Sequence, residues 1–272
     1  MNRILLIPIT LLLVLSSPKV FAQKLVWGIK GGSTLSLTTF MDADDKSEFS
    51  SENKFGFAAI GLINYPLKNN YSIQSEIGVS QRGRKIKFNS DSSLNNASYQ
   101  FLDFGFLARK SLPVQWQEHI PGHWFLNVGP RLSYWLSGKG NVTGAESFDY
   151  KVVLGPLSKV PLIEPDKMYL KEVNRWMVGF DIGVGIDAPI RKTHDVTFEL
   201  RFSQGFTRYG NKNSAYTSQP GFRDSLKATE KIISLLIGYT IEYDFKEARK
   251  GKSTKQDRKR TKPRKEIDSL LH

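Results

Sequence analysis

The stretch "NRWMVGFDIGVGIDAP", Asn174 to Pro189, alternates without interruption. Trp176, Val178, Phe180, Ile182, Val184, Ile186 and Ala188 fall on one parity, while Arg175, Met177, Gly179, Asp181, Gly183, Gly185 and Asp187 fall on the other. A period of two with one apolar face is the signature of a strand. A soluble sheet would turn the large apolar residues to its core and dress the other face with Lys, Glu and Thr. Here the second face is mostly glycine with carboxylates, which suits a cramped polar interior. The greasy parity is therefore expected to face lipid.

The same alternation recurs in eight segments: 24–38, 55–67, 71–82, 99–110, 124–137, 174–189, 196–207 and 232–245. In the third, Gly83 shifts the phase and predicts a bulge. Segments of about ten residues with an apolar outer and a polar inner face are what a spanning β-barrel requires, and eight is an allowed even number. Such a sheet must close on itself, because hydrocarbon offers no partner to backbone N–H and C=O groups. The first, fifth and seventh connections (39–54, 138–171, 210–231) are the longest, and the second and sixth (68–70, 191–195) the shortest. Long external loops and short internal turns place both termini in the periplasm. The fourth, "SLPVQWQEHIPGH" (Ser111–His123), is long for a turn. Aromatics near segment ends, among them Trp124, Trp176 and Tyr209, fit interfacial girdles.

Composition supports this reading. The 272-residue chain has no cysteine and a formal charge of +13. Residues 1–22 read as a signal peptide: Arg3, an apolar run from Ile4 to Leu15, and Val20-Phe21-Ala22 as the cleavage site. The run is too short to span a bilayer as a helix, and no later segment is long enough. The barrel is assigned to residues 23–245 and a basic periplasmic tail to residues 246–272. The tail holds eleven Lys or Arg against four Asp or Glu, a net +7, and no aromatic residue. It is expected to be disordered when free.

The inward parity carries the candidate functional residues: Lys30, Glu76, Arg82, Asp103, Arg109, Arg131, Asp181, Asp187, Glu199, Arg201 and Glu242. An eight-stranded barrel is only wide enough to be filled by side chains. Both signs occur, so a mutually paired charge network plugging the lumen is expected, with Glu199 and Arg201 at its centre. Catalysis finds little footing. Of the four histidines, His119, His123 and His194 fall in predicted turns and His272 in the tail, and no nucleophile–base pair is assigned. "EHIPGH" (Glu118–His123) has Pro and Gly where a zinc-binding helix would need i, i+4 geometry. "DADDKSE" (Asp42–Glu48) lacks the glycine of a calcium loop. "YKVVLGPLSKVPLIEP" (Tyr150–Pro165) is apolar for a solvated loop and is expected to extend the neighbouring strands, with partner binding as the sharper alternative.

Five motifs carry a family resemblance: "GIKGGSTLS" (Gly28–Ser36), "KFGFAAIGLINYPL" (Lys54–Leu67), "LNVGPRLSYWL" (Leu126–Leu136), "LRFSQGFTRY" (Leu200–Tyr209) and "IGYTIEYDF" (Ile237–Phe245). In their order and spacing they resemble the Bacteroidetes-type outer-membrane β-barrel proteins, called porin-family or PorT-family. The chain departs from that pattern at Gly105, where the family usually has Pro, and in the 27 residues that follow Phe245. The resemblance implies an all-β fold: an eight-stranded antiparallel up-and-down transmembrane β-barrel, OmpA/OmpX-like. It implies that the terminal-strand aromatics Tyr239, Tyr243 and Phe245 form a signal read by the barrel-assembly machinery. It implies no substrate.

The expected function is a structural or interaction role in the cell envelope, as an accessory to secretion or another envelope complex. A narrow porin-like passage for small solutes or ions is the alternative, and a soluble lipocalin-type barrel is a third reading with the opposite facing. No enzyme activity, cofactor, metal or nucleic-acid partner is expected. Expected partners are outer-membrane lipid and lipopolysaccharide, the assembly machinery, and a periplasmic or secretion-complex protein meeting the basic tail. Truncation after Phe245 is expected to leave a membrane-inserted barrel but to remove envelope proteins from its co-purifying set. An unchanged set would count against the tail as a tether.

Overall fold

The computed structural model describes residues 24–89, 93–117, 120–144, 147–155, 166–217 and 226–245. The signal-peptide and tail assignments lie outside these residues. The described residues form twelve strands: β1 (Lys24–Phe40), β2 (Phe49–Glu52), β3 (Lys54–Pro66), β4 (Tyr71–Phe88), β5 (Leu94–Gln117), β6 (Ile120–Thr143), β7 (Phe148–Leu154), β8 (Lys167–Val173), β9 (Trp176–Arg191), β10 (His194–Gly205), β11 (Gly210–Thr217) and β12 (Ala228–Asp244). One short helix, α1 (Ala43–Glu48), precedes β2.

Eight of these strands are the staves of a closed barrel. β1, β3, β4, β5, β6, β9, β10 and β12 pair antiparallel in that order, and β12 returns to β1 over the full length of both. The ladders thus pair the backbone within the sheet, interrupted at a few register shifts. At the end that carries both termini the turns are tight. Asn69 and Asn70 take φ of 58° and 61° between Lys68 and Tyr71, the left-handed pair that a two-residue hairpin requires. Lys192 and Thr193 make the turn between β9 and β10.

The parity inferred from the opening stretch holds in β9. Phe180, Ile182 and Val184 are 36–46% exposed on the outer wall, whereas Asp181 is 2% exposed inside. Arg201, which faces Gly183 from the neighbouring β10, is likewise buried. The outer wall of the staves is an apolar belt, with Ile77, Phe106, Leu126, Leu200 and Ile237 among its members. This facing excludes the lipocalin-type arrangement.

The staves β4, β5 and β6 run on past the belt at the far end, where β2 adds to β4, and β7, β8 and β11 follow β6 as an outlying sheet. β7 and β8 pair in parallel. Here the meaning of the parity inverts. On β4 the even residues point inward without a break, from Ser72, Gln74, Glu76, Ser80 and Arg82 to Arg84, Ile86 and Phe88. The register with β5 is continuous through Gly83, so the bulge expected there is absent. What changes is the surroundings. In the belt the outside is hydrocarbon and the inside polar; beyond it water lies outside, and the inner face becomes an ordinary hydrophobic core.

That far-end core has two parts. Trp135, Tyr99, Phe101, Tyr150, Met168, Leu170 and Tyr209 form one, with Trp135 and Tyr99 4.6 Å apart between ring centres. Phe40, Phe49, Ile86 and Phe88 form the other. The one phase shift near the belt edge is a bulge in β6 at Leu136, where Gln100 and Phe101 face Ser137 and Trp135.

Two connections carry strand: the fourth against the sequence expectation, the fifth in line with it. Ser111–His123 is not a long turn: β5 and β6 continue as a hairpin, with Leu112 facing Trp124 and Pro113 facing His123. Within 138–171, residues 148–154 extend the sheet against β6, while 156–165 lie outside the described residues. No helix among the described residues is long and apolar enough to cross a membrane.

A charge on the outer wall at mid-strand should destabilise the barrel. Ile182→Arg is expected to cost about 2–4 kcal/mol in urea unfolding from lipid vesicles. The wild type should show faster migration on gels when unheated than when boiled. A neutral Ile182→Arg would mean that this face does not contact lipid.

Candidate functional site: the charged lumen

The inward face of the staves delivers Lys30, Arg82, Arg84, Arg109, Arg131 and Arg201 with Glu76, Asp103, Asp181, Asp187, Glu199 and Glu230 into the bore, and Asp195 stands near Asp187 and Arg109 at its terminal end. Alternation puts them there, because each lies on the inner parity of its strand. Most opposite-sign contacts cross between strands, and one, Arg201 with Glu199, joins neighbours on the same face of β10.

Three tiers follow one another from the terminal end. In the first, Arg109 donates to Asp187, with Thr197 donating to the same carboxylate at 2.9 Å. The guanidinium of Arg109 also lies 3.7 Å from the centre of the Phe125 ring, a cation–π contact. In the second, Arg201 grips Glu76 with both terminal nitrogens, at 2.6 and 2.8 Å, and its Nε donates to Glu199 Oε1 at 2.7 Å. Lys30 donates to Glu199 Oε2 at 2.5 Å and stands 3.7 Å from Glu76. Gln74 joins these two tiers by donating to Glu76 at 2.6 Å and accepting from Arg109 at 3.2 Å. In the third, Arg82 binds both Asp103 and Glu230, and Ser80 and Ser133 each donate to Asp103 at 2.5 Å. Asp181 bridges the second and third tiers, 3.6 Å from both Arg201 and Arg131, and Arg131 reaches Glu230 at 3.5 Å.

The glycines of the inner parity are the counterpart of these long side chains. A Cβ on Gly183 would stand 2.5 Å from Glu199 Oε1, and one on Gly238 would stand 2.6 Å from Lys30 Cγ. Gly105 and Gly179 give the same room to Glu76 and Arg131. The bore is so narrow that each large charged residue occupies space its neighbour vacates. A void of about 40 Å³ lies beside the middle tiers, lined by Thr34, Glu76, Arg82, Asp103, Arg131 and Arg201 among others. It has room for a few water molecules and no solute.

Ten of the eleven residues singled out from the sequence lie in this column. Glu242 does not: on the inner parity of β12 but at its terminal end, it leaves the bore and pairs at 2.6 Å with Lys24 on the rim, both substantially exposed. Sequence reasoning missed Glu230 and Arg84. Glu230 fell in the seventh connection, yet β12 begins at Ala228, and Glu230 keeps the parity of Ser234 and Gly238. Tyr209 donates to it at 2.8 Å, tying the third tier to the far-end core. Arg84 was hidden by the supposed phase shift; it is fully buried, 5.2 Å from the Tyr209 ring centre.

Tyr239, Tyr243 and Phe245 stand on the outer wall toward the terminal rim, with the last two rings edge to face at 4.9 Å. His194 shares a 2.6 Å hydrogen bond with the hydroxyl of Tyr239, and His123 is exposed on β6; His119 and His272 lie outside the described residues. Among the described residues no group of three or more His, Cys, Asp or Glu is disposed to hold a metal ion.

A family model described as an outer membrane protein beta-barrel domain matches residues 21–209. Among solved structures the chain is similar to neisserial surface protein A, with 10% identity, coverage of 80% of this chain and 97% of that one, and a TM-score of 0.38. It is similar to the outer membrane protein OprG from Pseudomonas aeruginosa, with 9% identity, coverage of 80% and 95%, and a TM-score of 0.40. The outer membrane protease OmpT from Escherichia coli gives 12% identity, 83% and 98%, and 0.32. No protein with a curated description matches.

Removing one charge from the second tier should be severe. Arg201→Met leaves Glu76 and Glu199 buried against Lys30 alone and is expected to cost about 3–5 kcal/mol, while adding Glu76→Met should recover much of the loss. Urea unfolding of the two variants in lipid vesicles measures both steps. Equal cost for single and double variants would mean that the pair is not coupled.

Proposed function

The chain belongs to the outer membrane protein beta-barrel family, and from that membership we propose that it is a sealed barrel with a structural or interaction role in the cell envelope. In this reading both termini lie in the periplasm and the far-end sheet stands outside the cell. The single observation that carries it is the closed bore: three tiers of mutually paired charges, a void of about 40 Å³, and the aromatic core of Trp135, Tyr99 and Tyr209 above them. A solute pathway would have to break several buried ion pairs at once, each costly to separate. The orientation is supported by the tight turns at the terminal end and the large sheet at the other, as outer-membrane barrels have short periplasmic turns and long external loops. The quoted motifs support kinship with the Bacteroidetes-type barrels, and the aromatics Tyr239, Tyr243 and Phe245 support a terminal-strand assembly signal.

Conductance tests the reading. The purified barrel in planar bilayers should show no stable porin-scale steps, and Arg82→Ala with Glu230→Ala should introduce fluctuating leak. Well-resolved wild-type channels would overturn it in favour of the narrow passage.

A further inference from the structure

The outer face of the far-end sheet carries an unusual row. Cross-strand pairing sets Ser98 of β5 beside Lys139 of β6, Lys139 beside Lys151 of β7, and Lys151 beside Lys167 of β8. Three lysines thus stand in line on consecutive strands, about 4.8 Å apart in the pairing direction. Like charges directly opposite one another destabilise a sheet. The row next to it is Asn96, Asn141 and Asp149. Lys54 reaches in at the edge, donating to Asn96 Oδ1 at 2.6 Å. Lys139 and Lys151 of the lysine row, with Lys54, Asn96, Asn141 and Asp149, line an open cleft of about 400 Å³ that Ser98, Tyr150 and Asp166 complete. No ion pair within 4 Å joins Lys139 or Lys151 to Asp149 or Asp166 among the described residues. Burial and the nearby Lys85 push the Lys54 ammonium below its ordinary pKa, the behaviour of a cation lacking a countercharge.

The height of the cleft is as informative as its charge. Leu136 and Leu102 are the last apolar residues of the belt on β6 and β5, and Gln100 and Ser137 pair just beyond them at 2.9 Å. Lys139 lies three residues past Leu136, about 10 Å along the strand at ~3.3 Å per residue. With a strand tilt of about 35–45° that is about 7–8 Å beyond the hydrocarbon edge, the depth of lipid headgroups.

The geometry points to this cleft as a binding site for the phosphorylated saccharide headgroup of a glycolipid in the same membrane leaflet. Lys139, Lys151 and Lys54 bind the phosphate; Asn96, Asn141 and Asp149 hydrogen-bond the sugar hydroxyls. The cleft opens sideways at headgroup depth, so the ligand arrives by lateral diffusion with its acyl chains against the apolar belt. This rests on the orientation proposed above.

The test uses the full-length folded protein in nonionic detergent. Its affinities for bisphosphorylated lipid A, dephosphorylated lipid A and inorganic phosphate are compared with those of Lys139→Gln/Lys151→Gln. The wild type should bind bisphosphorylated lipid A about tenfold more tightly than the variant, a difference of ~1.4 kcal/mol, and dephosphorylated lipid A as weakly as the variant does. Inorganic phosphate at equal concentration should not displace the lipid. Equal binding by the variant or by dephosphorylated lipid A overturns the site, and displacement by inorganic phosphate overturns the headgroup as its occupant. Without lipid the double variant should melt higher than the wild type, because the opposed charges are gone; unchanged or lower melting removes the like-charge argument. Heat-modifiable migration reports folding of both proteins. A silent, heat-modifiable barrel that fails the lipid test leaves the proposed function standing.

Discussion

Hydrocarbon gives a backbone amide nothing to bond with, and the rest of this molecule follows from that. A sheet in lipid has to close, and this one closes with eight staves when β12 returns to β1. Eight staves leave a bore too narrow for anything but side chains. The outer wall can accept only apolar groups, so polar chemistry in the spanning segments is forced inward. Charges confined there must match in number and position. Cations meet carboxylates across the bore, and glycines such as Gly183 and Gly238 supply the space. The opening stretch is legible in these terms: its small residues accommodate the large charged residues of neighbouring strands.

A second consequence appears where the staves leave the membrane. Strand geometry does not change at that height, but the solvent on the outer wall does. Inner positions pass from Arg82 and Arg84 to Ile86 and Phe88 on one uninterrupted strand. The far end is thus built like a soluble β-protein, with an aromatic core inside and lysines and asparagines outside. Tyr209 belongs to both regimes, packed in the aromatic core and hydrogen-bonded to Glu230 of the charge column.

This switch also explains which parts of the fold could be seen in the sequence. Within the belt, period-two alternation located all eight staves, because one face had to be apolar along its whole length. Ten lumen charges followed from parity alone. Beyond the belt the same rule misled. Ile86 on an inward position looked like a change of phase, which hid Arg84 and suggested a bulge at Gly83. Glu230 was assigned to a loop because the residues before it, Ala228 and Thr229, carry no alternation of their own. The real bulge at Leu136 left no signal, since Trp135 and Leu136 are both apolar and either could face lipid. Glu242 had the correct parity, but parity does not say where along a strand the bore ends.

Along the staves the bore is filled by paired side chains. The barrel's accessible polar surfaces are the two rims and the outer face of the far-end sheet. That sheet is continuous with the staves: β6 runs from the terminal hairpin through the bulge at Leu136 to Thr143, and β7 pairs against its residues 138–142. Side chains on it therefore keep fixed positions relative to the hydrocarbon edge. A flexible loop could place lysines at headgroup depth only part of the time, whereas strands continuous with the membrane staves hold Lys139 at one depth throughout. The paired charges of the lumen contribute here as well, because they fix the staves on which that depth depends.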